Sequence, residues 1–268
     1  MTRSVLHILS VLSLLFIAAC SSTQETATLS VEERYAQGKS LFDNGDYLEA
    51  IEDFKAITVQ DQGSDLGDDA QFYLAECRYR RGEYILAAAE YDNLVRSMPG
   101  SPYVNRARYM RAQSYYELSP KSQLDQKYTR FALDNFQTFV EYASKDSLTD
   151  DATAKINELT LKLSRKMFEG GKLYFRLEYY RAAIAYFDKL IQEYHDSPYV
   201  DDGMLWKAKS LNERKDFDGA ERVLAEIDAK FPETDLKEEM KELRAKIATD
   251  RVEYQQDEQK RKLTTMTQ

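Results

Sequence analysis

The sequence predicts an all-α protein in which about five helical hairpins stack into a solenoid, so that each hairpin contacts only its neighbours. The first observation is a stretch, GDYLEAIEDFKAI at 45–57, that returns as GEYILAAAEYDNL (82–94), EYYRAAIAYFDKL (178–190) and DFDGAERVLAEI (216–227). The second is the tetrapeptide SPYV, which stands at 101–104 and again at 197–200, each time before a new hairpin. Because proline interrupts a helix, each SPYV marks a turn and a restart.

The repeated stretch has the spacing of a helix face. A small residue is followed four residues later by a large one and three further on by another, and positions i, i+4 and i+7 share one side of a helix. The five copies are Ala50, Phe54 and Ile57; Ala87, Tyr91 and Leu94; Ala132, Phe136 and Phe139; Ala183, Phe187 and Leu190; Ala220, Leu224 and Ile227. Small residues twelve positions upstream allow a second helix to cross closely, so each unit is predicted to be a hairpin that resembles the tetratricopeptide repeat.

Ahead of the repeats, residues 1–19 are predicted to be a lipoprotein signal peptide. One basic residue, Arg3, precedes an apolar run that ends in FIAAC, and this order resembles the lipobox in which Cys20 becomes an acylated N-terminus. Ser21 follows, and an Asp there would indicate retention in the inner membrane, so we expect the outer membrane, with the chain on its periplasmic side. The alternative is an ordinary signal peptide or an uncleaved anchor with an incidental cysteine. Residues 20–30 lack apolar periodicity and are predicted to be a flexible lipidated tether.

The remaining chain divides into two groups of repeats. Residues 31–145 are expected to hold repeats 1–3, with a loop inserted at 118–128 whose role the sequence leaves open. Residues 146–248 are expected to hold repeats 4–5 and, at their start, one long amphipathic helix that joins the two groups, with Thr149 and Asp150 able to cap it. Residues 249–268 form a charged C-terminal tail, and its KRK run is a solvated charge cluster or, alternatively, a contact for lipid phosphates.

The composition argues against several classes of function. A formal net charge of −9 disfavours nucleic acid as a partner. The chain has only two histidines, His7 in the leader and His195 in a turn, and no Gly-rich phosphate loop, so we expect no enzyme, no metal and no cofactor. If Cys20 is acylated, Cys77 is the only thiol left, and its helical position predicts an inert, buried side chain.

In such arrays the first helix of each hairpin lines a concave surface that binds peptides. Aromatic residues with a few cations dominate the inward positions of the first three hairpins, which suits an extended peptide with aromatic side chains and a free carboxylate. The predicted peptide-binding groove contains Tyr35, Lys39, Phe42, Phe72, Tyr73, Tyr79, Arg80, Arg106 and Tyr109. The alternative is that several of these aromatic side chains pack between adjacent repeats instead.

Together, the lipobox, five repeats, the inserted LDQKYTRFALDNFQTFVEY and the long-helix segment LSRKMFEGGKLYFRLEYYRAAIAYFDKLI resemble the BamD family of outer membrane β-barrel assembly lipoproteins. Lys166-Met167 departs from the family, in which an acidic residue follows the lysine. The resemblance implies that repeats 4–5 dock on the periplasmic domains of BamA and that repeats 1–3 bind C-terminal targeting signals of unfolded outer membrane proteins. It also implies contact with other Bam lipoproteins. The alternative is a tetratricopeptide lipoprotein scaffold for another envelope machine, as a secretin pilotin or a coordinator of cell-wall synthesis.

Overall fold

A computed structural model describes residues 29–61 and 64–266, so the predicted signal peptide, Cys20 and most of the tether lie outside the described residues. The described part contains eleven helices and no strand. The helices are α1 (Val31–Asn44), α2 (Tyr47–Gln60), α3 (Asp65–Arg80), α4 (Tyr84–Ser97), α5 (Val104–Glu117), α6 (Lys127–Tyr142), α7 (Thr149–Arg176), α8 (Tyr180–Glu193), α9 (Val200–Glu213), α10 (Phe217–Lys230) and α11 (Lys237–Met266).

Consecutive helices pair into five hairpins, α1–α2 through α9–α10, and each hairpin packs on the next. This confirms the predicted all-α solenoid. The aromatic positions of the repeat fill the interior, since Phe54, Tyr91, Phe136 and Phe187 are fully buried. The small residues sit where the helices cross: a Cβ built on Gly171 would lie 2.5 Å from Cε1 of Phe187, so only glycine permits this approach without displacing the ring.

The predicted long helix is α7, and it belongs to both groups of repeats. Its N-terminal half packs beside α5, where Tyr116 donates a hydrogen bond to Glu158 at 2.6 Å. Its C-terminal half forms the fourth hairpin with α8, through the contact of Gly171 with Phe187. The predicted long helix that joins the two groups of repeats is therefore confirmed.

The predicted cap of α7 is wrong. Leu148 occupies the N-cap position without a side-chain hydrogen bond, and the Thr149 hydroxyl donates instead to the carbonyl of Ala143 at 2.9 Å. Asp150 and Asp151 lie within the first turn, where negative charge favours the helix dipole. The start of α7 is thus held by the preceding turn and by its charge.

The inserted loop between α5 and α6 packs against α7. Lys166 donates to the carbonyl of Leu124 at 2.6 Å, and Lys162 donates to the Ser119 hydroxyl at 3.0 Å. Gln126 is fully buried and its amide donates to the carbonyls of Lys121 and Leu124. The loop therefore braces the joint between the two groups of repeats.

Helix α11 continues through the boundary expected at residue 248 and stacks on the fifth hairpin. Met240, Leu243 and Ile247 are buried against it. Most exposed side chains of α11 are polar or charged, as suits the end of a solenoid, and Val252, Tyr254 and Leu263 are exposed among them. No helix within 29–61 and 64–266 has the length and apolarity needed to cross a bilayer.

Candidate functional site

The first helices α1, α3, α5, α7 and α9 are neighbours along one side of the stack, and the predicted groove residues lie on the first three of them. At α1 and α3, three of these side chains form one cluster. The Lys39 ammonium lies 4.4 Å from the Tyr73 ring centroid and 5.1 Å from that of Phe42, and the two rings meet edge-on at 5.2 Å. Tyr35 adjoins this cluster, 6.4 Å from Tyr73 between ring centroids.

A second group of predicted residues lies between α3 and α5. The Tyr79 hydroxyl donates to Glu117 at 3.1 Å, and burial together with the charge of Glu117 raises the pKa of Tyr79 to about 12. Arg80 is 56% exposed and stands 3.9 Å from Glu76, which also accepts a hydrogen bond from Tyr91. Arg106 is exposed and, in the described part of the chain, has no ion-pair partner. The cations here are thus only partly neutralised.

Phe72 and Tyr109 do not line an open wall, contrary to the predicted groove. Phe72 is 8% exposed and stacks on Tyr103 at 4.4 Å between ring centroids. Tyr109 is 7% exposed because α7 covers it: its hydroxyl donates to Asp151 and accepts from Lys155 at 3.0 Å. For these two residues the structure supports the alternative, in which the aromatic side chain packs between repeats.

Sequence reasoning missed that tyrosines on one first helix donate to carboxylates on the next. Tyr79 pairs with Glu117, Tyr109 with Asp151 and Tyr116 with Glu158. The partners are 38 to 42 residues apart, about one repeat, and that recurring separation is the signal that could have revealed them. These bonds tie neighbouring first helices together.

A second aromatic site on the concave side was also missed. On α7 and α9, Phe175 and Trp206 meet edge-on at 5.1 Å, and the Lys209 ammonium lies 4.4 Å from the Trp206 ring centroid. Trp206 is the single tryptophan of the chain. Trp206 and Lys209 are three residues apart, so they lie on one face of α9. This aromatic-and-cation spacing is visible in the sequence, but the predicted groove covers only the first three hairpins.

Two further titratable side chains, Cys77 and His195, lie apart from this wall. Cys77 is fully buried, and burial raises the pKa of its thiol to about 12, which keeps it protonated and unreactive. His195 is exposed beside Asp196 in the turn after α8. Across 29–61 and 64–266, no group of three or more His, Cys, Asp or Glu side chains is arranged to hold a metal ion.

The fold and its partly cationic, aromatic wall define an all-α helical-repeat protein of the kind that binds peptides or partner domains. Comparison with known families identifies it further: the family described as YfiO, outer membrane lipoprotein, matches residues 28–223. The chain belongs to this family. Helix α11 lies beyond the matched residues.

Several curated relatives carry the name outer membrane protein assembly factor BamD. The Caulobacter vibrioides protein is 25% identical over 76% of this chain and 68% of its own length. The Haemophilus influenzae protein is 25% identical over 72% and 80%, and the Neisseria meningitidis protein 26% identical over 71% and 78%. These names agree with the BamD family that the sequence resembles.

Solved structures similar to this chain are tetratricopeptide-repeat proteins. One from Parabacteroides merdae is 20% identical, covers 82% of this chain and 73% of its own, and has a TM-score of 0.35. The TPR2AB domain of yeast Sti1, in a complex whose title names pHSP90, is 15% identical over 84% and 86% with a TM-score of 0.39.

Proposed function

We propose that this protein is a non-enzymatic assembly factor for outer membrane proteins. The observation that carries the proposal is the family match over residues 28–223, together with relatives that are named as outer membrane protein assembly factors. The repeat architecture is consistent with this role, because a solenoid offers extended binding surfaces and needs no catalytic group.

The lipid anchor is part of the proposal. Cys20 carries the acyl chains, and residues 21–30 tether the first hairpin to the outer membrane on its periplasmic side. Several acyl chains hold a protein firmly where a single chain does not, because each buried CH₂ contributes about 0.8 kcal/mol. Mass spectrometry of the mature N-terminus tests this directly, and an N-terminal peptide without acyl groups contradicts it.

The concave wall of the first three hairpins receives the C-terminal signal of an unfolded barrel protein. Tyr35, Phe42, Tyr73 and Tyr79 supply apolar contact, and Lys39, Arg80 and Arg106 supply positive charge. A peptide that ends in an aromatic residue and a free carboxylate matches both properties. Phe72 and Tyr109 support the wall from behind without contacting the peptide.

The last two hairpins dock on the periplasmic domains of BamA, and other Bam lipoproteins join the assembly. This assignment follows the family resemblance. It leaves the wall of the first three hairpins free for the C-terminal signal of the unfolded barrel protein. Chemical crosslinking of the native lipoprotein in detergent-solubilised membranes tests it, and the expected main partner is a large barrel protein with repeated periplasmic domains. A secretin or a cell-wall synthase in its place would favour the alternative scaffold.

Binding of the client signal is tested by fluorescence anisotropy with a labelled peptide that copies the last strand of a barrel protein. Arg80→Ala and Arg106→Gln should each weaken binding about tenfold, the loss produced by one charge-assisted hydrogen bond. Tyr79→Ala should weaken it as well. Arg181→Gln is the matched control, since Arg181 is exposed on α8 away from the groove.

The same peptide with an amidated C-terminus should bind the wild-type chain less tightly, and it should no longer distinguish Arg80→Ala from wild type. Unchanged affinity in Tyr79→Ala or Arg80→Ala would count against the groove.

A further inference from the structure

The cleft between α7, α9 and α11 is a second candidate site, at the edge of the two hairpins that are proposed to dock on BamA. It has a volume of about 250 Å³, and it is lined by Phe175, Leu243, Lys209, Lys246, Glu213, Glu239 and Glu242. Four of these seven residues belong to α11, which lies beyond the family match at 28–223. Most of the cleft's lining therefore lies outside the residues that the family model matches.

The charges in the cleft do not balance. Lys209 pairs with Glu239 of α11, and Lys246 of α11 pairs with Glu213 at 2.9 Å. Lys246 also contacts Asp250 at 2.8 Å. Glu242 has no ion-pair partner anywhere in the described residues, so one exposed carboxylate is left over beside Phe175 and Leu243.

Beyond the lining residues, Asp201 and Asp202 of α9 carry further negative charge, which Lys172 and Lys209 partly offset. Asp202, one helix turn into α9, is half-buried, and its burial followed by the charges of Asp201 and Glu239 raises its pKa above the ordinary value for an aspartate. Lys172 lies 5.5 Å from the Trp206 ring but does not line the cleft. A cationic side chain from a partner would thus enter an acidic, partly apolar pocket.

We propose that this cleft binds a partner segment that presents an arginine beside an apolar residue. The guanidinium pairs with Glu242 and, at the base of the cleft, approaches Glu213, while the apolar neighbour packs on Phe175 and Leu243. Arginine fits better than lysine, because its planar group can both stack on an aromatic ring and pair with a carboxylate.

The single tryptophan makes the proposal directly measurable. Trp206 contacts Phe175 and Lys209, which both line the cleft, so its fluorescence reports occupation without interference from the rest of the chain. The probe is a pentapeptide with arginine between two leucines, acetylated and amidated, titrated onto the full-length lipoprotein in detergent. The blocked termini remove the free carboxylate that binding to the wall of the first three hairpins requires. This test is therefore independent of the proposed binding of C-terminal signals.

The arginine peptide should change Trp206 fluorescence saturably, and the peptide with glutamine in place of arginine should not. Glu242→Gln should weaken binding about fivefold, which is the upper range for one exposed ion pair. Glu238→Gln is the control, because Glu238 is exposed on α11 outside the cleft and pairs with Lys241. An equal response to the glutamine peptide, tighter binding of a glutamate peptide, or an unaltered affinity in Glu242→Gln would each overturn the proposal.

Discussion

The two sites on the first-helix side of this protein are built on the same hairpin but differ in which charged side chains lack an ion-pair partner. Between α3 and α5, Arg106 has no ion-pair partner among the described residues and Arg80 is exposed beside Glu76, while Glu117 and Glu76 each accept a hydrogen bond from a tyrosine. Between α9 and α11 both lysines are paired and Glu242 is left over. The repeat positions that make the fold are shared, so the two sites differ through the charged side chains that the neighbouring helix pairs or leaves unpaired.

The largest expected effect is a loss of stability at an interior repeat position that both groups of hairpins share. Phe54 and Phe187 occupy the same repeat position in the first and fourth hairpins, and both are fully buried. Phe54→Ala and Phe187→Ala should each lower the free energy of unfolding by about 3–5 kcal/mol. Urea titration of the soluble chain 21–268, followed by far-UV circular dichroism and by Trp206 fluorescence, measures both.

Because α7 belongs to both groups of repeats, we expect either variant to shift the two signals together. A Phe54→Ala chain whose circular dichroism shifts while its Trp206 transition stays in place would mean that the two halves unfold separately, and that α7 does not couple them.

A smaller loss of stability is expected where α7 contacts α5, at the junction between the two groups of repeats. Lys155 contacts both Asp151 and Tyr109, and the hydrogen bonds from Lys155 and then Tyr109 lower the pKa of the Asp151 carboxyl. Lys155→Met should cost about 1 kcal/mol of unfolding free energy, whereas Lys189→Met, whose pair with Glu193 is half-exposed at 3.7 Å, should cost about 0.3 kcal/mol or less.

The cost of Lys155→Met should also depend on pH. A carboxyl with a lowered folded pKa contributes stability above the pKa of the unfolded aspartate, about 3.9, and loses it as the pH falls through the folded value. The difference between wild type and Lys155→Met should therefore be constant from pH 7 to about pH 5 and shrink below about pH 4. A difference that does not change in acid would show that Lys155 acts through packing alone.

The smallest expected effect is chemical and leaves stability unchanged. In the chain 21–268, Cys77 is the only thiol and lies in the first half, as Trp206 lies in the second. Ellman's reagent should react slowly with the native chain, since Cys77 is fully buried with its pKa raised to about 12. In urea its labelling rate should rise as circular dichroism is lost. Ser40→Cys, exposed on α1, is the positive control, and rapid labelling of native Cys77 would contradict its burial.

The sequence predicted the hairpins and α7 because their small and aromatic residues are packing constraints with a fixed spacing. It did not separate the open wall from the interior. Phe42 and Phe72 are both aromatic residues on a first helix, but Phe72 stacks on Tyr103, also meets Tyr91 and is buried. Likewise Tyr109 is covered by α7, a contact that depends on how the third and fourth hairpins meet. Such neighbours lie a full repeat away in the chain, beyond the reach of helical periodicity.

Helix α11 was predicted only as the end of the fifth repeat and a tail, since it lacks the small and aromatic signature. Its buried side chains, Met240, Leu243 and Ile247, nevertheless follow a spacing of three and four. That pattern could have indicated a further packed helix, although nothing in it reveals the cleft with Phe175, which requires the three-dimensional arrangement of three helices.

Because α7 is shared by the two groups of repeats, an insertion or deletion in α7 also changes how the two groups are oriented. A helix turns by about 100° for each residue, so inserting one residue in the middle of α7 would rotate the last two hairpins by that angle about the helix axis. Only an addition close to seven residues, two whole turns, would return both sites to the same side of the molecule. Natural or engineered length variation in this segment should thus occur in heptad-like steps.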